Sequence, residues 1–546
     1  MKAYELIGPA LVRMGVDTGF FLMGGPTLGA ANSCITSGIR MIDVRHEQAA
    51  AMMAQAYARL TAKVGVCMAA SGPGAINLTT GLANALIDCA PVVALGGAAP
   101  VGTAGRGTFQ DIDQLAIMKP VTKWAARLTD PRRIPELIAT AFRHARGGTP
   151  GPVYLDLPGD VLHQDVDESA IKWPFPSDAE TLAPMGTEDG VIERFISLLK
   201  TASRPIVISG SGVLWSNAAD EVHQFVEGAG IPFYTTPQGR GVLPDDHPLS
   251  FPAARSRALK AADLVVVLGT RLNYVWGHGE PPRFAADARF IRIDIDPVET
   301  AGTPNLVLGI AADLGTVLRQ LNTRLSGTNV DDGYERWRSE LRELDQGKRA
   351  AAETKLSSDA MPIHPLRLCK EIRDFIDRDA VLVVDGQEIL NYGRQSIPTF
   401  VAGHRLNSGP FGTMGVGLPF ALGAKAAKPD KQVVVLHGDG SFGLNAMELD
   451  TAVRHRLAVL VVISLNGGWT GDPDKSKPGR DLGYTRFDLM GQALGCHGEY
   501  VEKPNDIRPA LERAAAAVKA GRCAVVNVVT DWRARAQTAD FTAYST

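Results

Sequence analysis

The six cysteines (Cys34, Cys67, Cys89, Cys369, Cys496 and Cys523) lie far apart, and no two form a CxxC pair. Neither a disulfide framework nor a cysteine-rich metal knuckle is indicated. Mostly apolar surroundings predict reduced core thiols in a cytoplasmic protein. No uncharged apolar run reaches the length of a membrane span, so a soluble chain is expected. The N-terminal stretch MKAYELIGPALVRMGV carries Glu5 and Arg13 within its apolar spacing. It reads as an amphipathic helix, not as a signal peptide. The formal net charge is only -3, which offers no one-sided field for nucleic acid or a membrane surface. A GxxxxGK[ST] phosphate loop is missing, as is a GxGxxG after a first strand with an acidic residue at the right distance. Walker-type nucleotide binding and plain NAD-dependent dehydrogenation therefore lose support.

What is present is a long, ordinary globular composition: 546 residues, 45% hydrophobic and 21% charged. That length exceeds what one core holds, and two to four domains are expected. Three blocks of alternating strands and helices emerge. The first (1–165) contains GFFLMGG, RMIDVR, VGVCMAA, APVVALGG and GPVYLDLP, with helical stretches such as HEQAAAMMAQAYARL between them. The second (189–325) contains RPIVISGSG, IPFYTT, DLVVVLGTRL and RFIRIDIDP. The third (361–546) contains AVLVVDG, KQVVVLHGDG, LAVLVVISLNGG and CAVVNVVTD. Short apolar runs with interposed helices predict an α/β protein of three doubly wound parallel-sheet domains. Residues 166–188 and the charged, helical stretch 326–360 read as connectors.

In open parallel sheets ligands bind beyond the carboxyl ends of the strands. Two such ends stand out. Asp439 follows the strand VVVL inside Gly438-Asp439-Gly440-Ser441, and Asn466 follows LAVLVVISL inside Asn-Gly-Gly. Residues 441–465 between them leave room for one helix and one return strand, and a right-handed crossover brings the two ends together. Either motif alone reads as a turn. Together they offer a carboxylate, a carboxamide oxygen and carbonyls in a glycine-rich loop, which suits Mg2+ holding a phosphate or diphosphate.

GDGS followed by about 25 residues and Asn resembles the signature of the thiamine-diphosphate (ThDP) enzymes. The resemblance implies that Mg2+ takes Asp439, Asn466 and the carbonyl of Gly468, and that Gly438, Gly440 and Ser441 line the diphosphate. ThDP also needs a carboxylate on its aminopyrimidine, so that the carbon acid at thiazolium C2 can become a nucleophilic ylide. RMIDVRHEQAAAMMAQAYARL resembles the family's strand and glutamate-led helix, and the match falls on Glu47. GPFGTMGVGLPFALGA resembles the segment beneath the pyrimidine. There Met414 matches the apolar residue that bends the cofactor, and Gly412 matches the carbonyl that receives the 4′-amino group. In DGQEILNYGR, Gly386 and Gln387 match positions along the diphosphate. Glu388 departs from the pattern, which has a neutral or basic residue there.

The resemblance covers nearly the whole chain and fits the branch of acetolactate synthases, benzaldehyde lyase, oxalyl-CoA decarboxylase and 2-hydroxyacyl-CoA lyases. It implies pyrimidine-binding, central and diphosphate-binding domains in that order, with FAD or ADP as alternatives for the central one and ADP as the candidate here. Phe109-Gln110 is similar to acetolactate synthases and 2-hydroxyacyl-CoA lyases and unlike the Tyr-Glu pair of oxalyl-CoA decarboxylase. Gln110 would then meet the substrate oxygen or the 4′-imino side of the site. Gly25, Phe109 and Thr470 are further substrate candidates. The tail WRARAQTADFTAYST resembles a segment that folds over a CoA thioester, with Arg533 and Arg535 available to CoA phosphates. Trp469-Thr470 departs from the acyl-CoA enzymes, which carry Ile-Tyr, and Trp469 is like benzaldehyde lyase. The expected activity is cleavage of a 2-hydroxyacyl-CoA to a carbonyl compound and formyl-CoA. The alternatives are a lyase or carboligase on free keto acids or aldehydes, and an inactive ThDP-binding scaffold. The family's domain arrangement implies a homodimer or homotetramer with active sites at subunit interfaces, acting on small molecules and not on nucleic acid or membranes.

Overall fold

The computed structural model describes residues 1–174, 183–326, 333–469 and 478–536. The chain packs as two compact units. One comprises Met1–Gln346 with the short segments Phe400–Gly403 and Gly409–Thr413. The other comprises Gly347–Thr399, His404–Ser408 and Met414–Thr546.

The first unit contains two parallel sheets. Strands β1 (Thr18–Phe21), β2 (Arg40–Asp43), β3 (Gly65–Ala69), β4 (Val92–Ala98), β5 (Trp124–Arg127) and β6 (Val153–Pro158) are ordered β2-β1-β3-β4-β6-β5. Strands β7 (Pro205–Ser209), β8 (Phe233–Thr235), β9 (Leu264–Leu268), β10 (Arg289–Asp294) and β11 (Leu306–Ala311) are ordered β11-β10-β9-β7-β8. The second unit holds β12 (Val381–Asp385), β13 (Arg405–Leu406), β14 (Val433–Gly438), β15 (Leu460–Leu465), β16 (His497–Val501) and β17 (Ala524–Val529), ordered β13-β12-β14-β15-β17-β16. The expected α/β architecture of three parallel sheets is what the chain adopts.

Interior strands are mostly apolar because helices cover both of their faces. Every residue of β12 and β15 is buried. On one face of that sheet Leu368, Ile372, Ile507 and Leu511 from two helices pack on Leu382, Val384, Leu436, Val462 and Val526. Each such side chain contributes about 1.5–3 kcal/mol on leaving water. β12 leads to β13 on one side and to β14 on the other, so the strand order reverses between β12 and β14. A topological switch point of that kind opens a crevice at the carboxyl ends of the two strands.

Four strands have no counterpart in the sequence reading: β5, β11, β13 and β16. Each one is a sheet edge. The six cysteines are free, and all except Cys89 are buried. Among the described residues no helix is long and apolar enough to cross a membrane.

Candidate functional site

In the second unit the crevice at the switch point is lined by Gly386, Gln387, Met414, Gly438, Asp439 and Gly440, together with Ser441, Asn466, Gly468 and Trp469. It encloses about 840 Å³ counted out to its open mouth, solvent included. Two strand-end loops meet at its floor. Gly386 has φ +123°, and a Cβ there would stand 3.1 Å from the backbone nitrogen of Gly438, so a side chain would strain the backbone and crowd the facing loop. The register explains the meeting, since β12 and β14 pair side by side up to Asp385 opposite His437.

Asp439 is buried at the end of β14. Its Oδ1 accepts the Gly440 N–H at 2.8 Å, and its Oδ2 accepts those of Gly467 at 2.7 Å and Gly468 at 3.1 Å. Burial pushes the carboxyl up to about 6, opposed by these three amides, which favour the charged form. Asn466, at the end of β15, turns its Oδ1 to the same Gly468 N–H at 3.3 Å. A carboxylate oxygen and a carboxamide oxygen thus converge on one backbone nitrogen, although 25 residues (441–465) lie between Gly440 and Asn466 along the chain. This all-oxygen donor set fits a hard divalent cation. A Cβ on Gly440 would lie 2.8 Å from the Trp469 ring, and one on Gly468 would overlap the carbonyl of Arg480. Close packing around these oxygens therefore favours glycine at both positions. Thr470 lies outside the described residues.

Several residues of this crevice carry no signal in a single sequence. Asp385 accepts the Gly417 N–H at 2.9 Å and Asn445 donates to the Gly415 carbonyl at 2.7 Å. Together they hold the segment after Met414 beneath the pocket. Asp531 and Ala534 line the pocket from the C-terminal side. Glu388, the departure, is paired: its Oε2 accepts the Ala536 N–H at 2.9 Å. Arg533 is engaged by Asp531 at 2.9 Å, and Arg535 donates to the carbonyls of Trp532 and Ala534.

The first unit carries the remaining candidates. Glu47 opens the helix Glu47–Thr61, where His46 Nδ1 accepts the Gln48 N–H at 3.2 Å as cap. Its carboxylate is buried, and Oε2 accepts from Asn77 Nδ2 at 3.0 Å. The other oxygen faces Gly74, where a Cβ would come within 3.3 Å. Gln110 has φ +58°, and its Oε1 accepts the Ser71 hydroxyl at 2.7 Å. Glu47 and Gln110 thus both address the Ser71–Asn77 turn that follows β3. Gln114 was missed by sequence reasoning and holds this turn in place. It is buried, accepts the Gly72 N–H at 2.9 Å, and turns its amide nitrogen to Gly97 O and Tyr154 Oη, each at 2.7 Å. Phe109 is 84% exposed in the single chain. Gly25 begins a short turn after β1, and Gly412 sits at φ +73°; neither position would crowd a Cβ.

Three family descriptions match the chain: thiamine pyrophosphate enzyme N-terminal binding domain (1–117), central domain (192–321) and C-terminal binding domain (392–528). Relatives extend along nearly all of it. The acetolactate synthase large subunit of Mycobacterium tuberculosis is 35% identical over 541 residues, covering 97% of this chain and 96% of its own. The 2-hydroxyacyl-CoA lyase of Arabidopsis thaliana is 35% identical over 551 residues, covering 96% and 95%. The oxalyl-CoA decarboxylase of Escherichia coli is 33% identical over 543 residues, covering 96% and 94%.

Proposed function

The chain belongs to the thiamine pyrophosphate enzymes, carbon-carbon lyases and carboligases that work with ThDP, and on that premise we propose that it cleaves 2-hydroxyacyl-CoA. The products would be an aldehyde or ketone and formyl-CoA. The convergence of Asp439 Oδ2 and Asn466 Oδ1 on the Gly468 amide carries the reading. It brings together two oxygen donors of the kind that a cation holding a diphosphate takes. Support for the acyl-CoA substrate comes from the similarity to 2-hydroxyacyl-CoA lyases of plants and mammals. Phe109-Gln110, a pair like that of both acetolactate synthases and 2-hydroxyacyl-CoA lyases, argues only against oxalyl-CoA decarboxylation.

ThDP, when bound, supplies the carbanion at C2 and the electron sink that carbon-carbon cleavage needs. Asp439, Asn466 and the Gly468 carbonyl would hold Mg2+, with the Gly386 and Gly438 loops around the diphosphate. Glu47 would hold and return the proton of the aminopyrimidine ring, kept in place by Asn77. Gln110 would orient the substrate oxygen, and Met414 would support the pyrimidine. Arg533 and Arg535 would be offered to the CoA phosphates, at the expense of their present contacts. ADP in the central domain, and a dimer or tetramer in which Glu47 of one subunit serves Asp439 of another, belong to the same proposal.

A second reading has its own support. Trp469 stands against Gly440 where the acyl-CoA enzymes carry a different side chain, and the acetolactate synthase relative is as similar as the lyase. That reading is a lyase or carboligase on free keto acids or aldehydes. The test is product analysis with ThDP, Mg2+ and either 2-hydroxyisobutyryl-CoA, benzoin or pyruvate. Formyl-CoA and acetone are expected, with the rate falling about 10²–10⁴-fold in Glu47→Gln, the range of a lost proton-transfer group. Benzaldehyde or acetolactate without CoA turnover would move the protein to the second reading.

A further inference from the structure

A cluster in the central sheet's layer belongs to none of this chemistry. The helix Ala219–Ala229 presents His223 and Glu227 one turn apart, which places both on one face. His247, in the loop between β8 and Phe251, stands against them. His223 Nε2 is 3.4 Å from Glu227 Oε1, and His247 Nε2 is 3.2 Å from the same oxygen. All three ligand atoms lie within 4.8 Å of one another. The imidazole rings meet edge to face at 81°, with centroids 5.3 Å apart.

We propose that His223, Glu227 and His247 bind one borderline divalent cation of the Zn2+ or Co2+ class, with water completing a tetrahedron. Bonds of about 2.0–2.1 Å to nitrogen and oxygen in a tetrahedral site separate neighbouring ligand atoms by about 3.3–3.5 Å. Two of the three edges already have nearly that length. His223 Nε2 is buried and makes no hydrogen bond, so this ring nitrogen faces the cluster with no other partner to give up on taking a metal. The side chains of His223 and Glu227 are 41% and 56% exposed, while that of His247 is 10% exposed. An ion and its water can reach the centre from outside. Two imidazoles and one carboxylate select a Zn2+-like ion over Mg2+, whose preference is for oxygen.

Binding requires His247 to carry its proton on Nδ1, which now accepts the Leu249 N–H at 3.2 Å. The ion therefore exchanges this contact for a metal bond. The consequence is structural. The ion ties the helix to the loop that carries Gln238, whose Nε2 donates to the buried carboxylate of Asp88 at 2.8 Å.

The experiment uses untagged full-length protein, stripped with chelator and held in saturating Mg2+ so that the oxygen site is covered. Titration with Co2+ is expected to give visible d–d bands saturating at one equivalent and displaced by Zn2+. His223→Ala, His247→Ala and the milder His223→Asn should each weaken binding at least about tenfold, whereas Asp439→Ala leaves it intact. Zn2+ should raise the thermal midpoint of the unsubstituted chain and not that of the three histidine variants. Absence of a saturable Co2+ spectrum overturns the proposal. So does binding that survives all three histidine substitutions.

Discussion

Asp385 and His437 face each other at the ends of β12 and β14, with Oδ2 and Nδ1 3.7 Å apart. The distance suggests an ion pair, but burial favours the neutral form of both groups. It raises the Asp385 carboxyl to about 6 and lowers the His437 imidazole to about 3. We read His437 as neutral, because its Nε2 is buried without a partner and a charge there would go unanswered. Between pH 7 and pH 5 the unfolded imidazole takes up a proton that folded His437 refuses. Stability is therefore lost as pH falls, by about 2 kcal/mol over that interval. Asp385 acts in the opposite sense, since the folded carboxyl takes up a proton as pH falls through about 6. The histidine's part is read as a difference: denaturant unfolding of His437→Asn at pH 7 and pH 5 should lack that acid loss relative to the unsubstituted chain. Glu388 is a second residue whose role depends on a distant partner. With its bond to the Ala536 amide removed, Glu388→Ala should loosen the backbone that carries the exposed Arg533 and Arg535, and trypsin should cut there several-fold faster while the rest of the chain stays resistant.

The helix Glu47–Thr61 is held by what is missing from its neighbours. A Cβ on Gly65 of β3 would overlap the Ala54 carbonyl, and one on Gly81 would stand 2.6 Å from Ala51 Cβ and 2.9 Å from the Gln48 carbonyl. The alanines along the helix and these two glycines let sheet, helix and the following helix Thr79–Ile87 close to backbone contact, which fixes where Glu47 points. Gly81→Ala should therefore lower stability by about 1–3 kcal/mol through overpacking. It should also reduce turnover, seen as a lower thermal midpoint together with a lower kcat. Much at this scale was legible in the sequence. Interior strands such as LVVISL announce themselves because both faces are dry. Edge strands do not: β5 is half-buried along its whole length, and β16 over all but its last residue, so their composition resembles that of loops. Asp439 and Asn466 could be singled out because each follows an apolar strand and is followed at once by glycine. Gln114 could not, because a polar residue in the first turn of a short helix has no visible reason to be buried. Glu388 could be marked as odd, but its partner lies 148 residues away.

Glu47 and Asp439 lie in different units of the chain, and the proposed assembly draws them from different subunits. Mixing makes this measurable. If Glu47→Gln and Asp439→Ala chains are each inactive, a heterodimer has one doubly impaired site and one intact site. Random reassociation should then restore about a quarter of the unsubstituted activity, by the statistics of a two-fold assembly. Sites completed within single chains would give no rescue. The strand order of the third sheet has one more consequence, for synthesis. β17 is the last strand of that sheet to leave the ribosome, yet it lies between β15 and β16. Until it emerges, β15 presents an open edge and β16 has no neighbour to pair with, the exposure that invites aggregation. Losing only the residues beyond about 520 would therefore not trim this sheet but leave a gap in its interior, and such chains should be found in inclusion bodies and in the grip of chaperones.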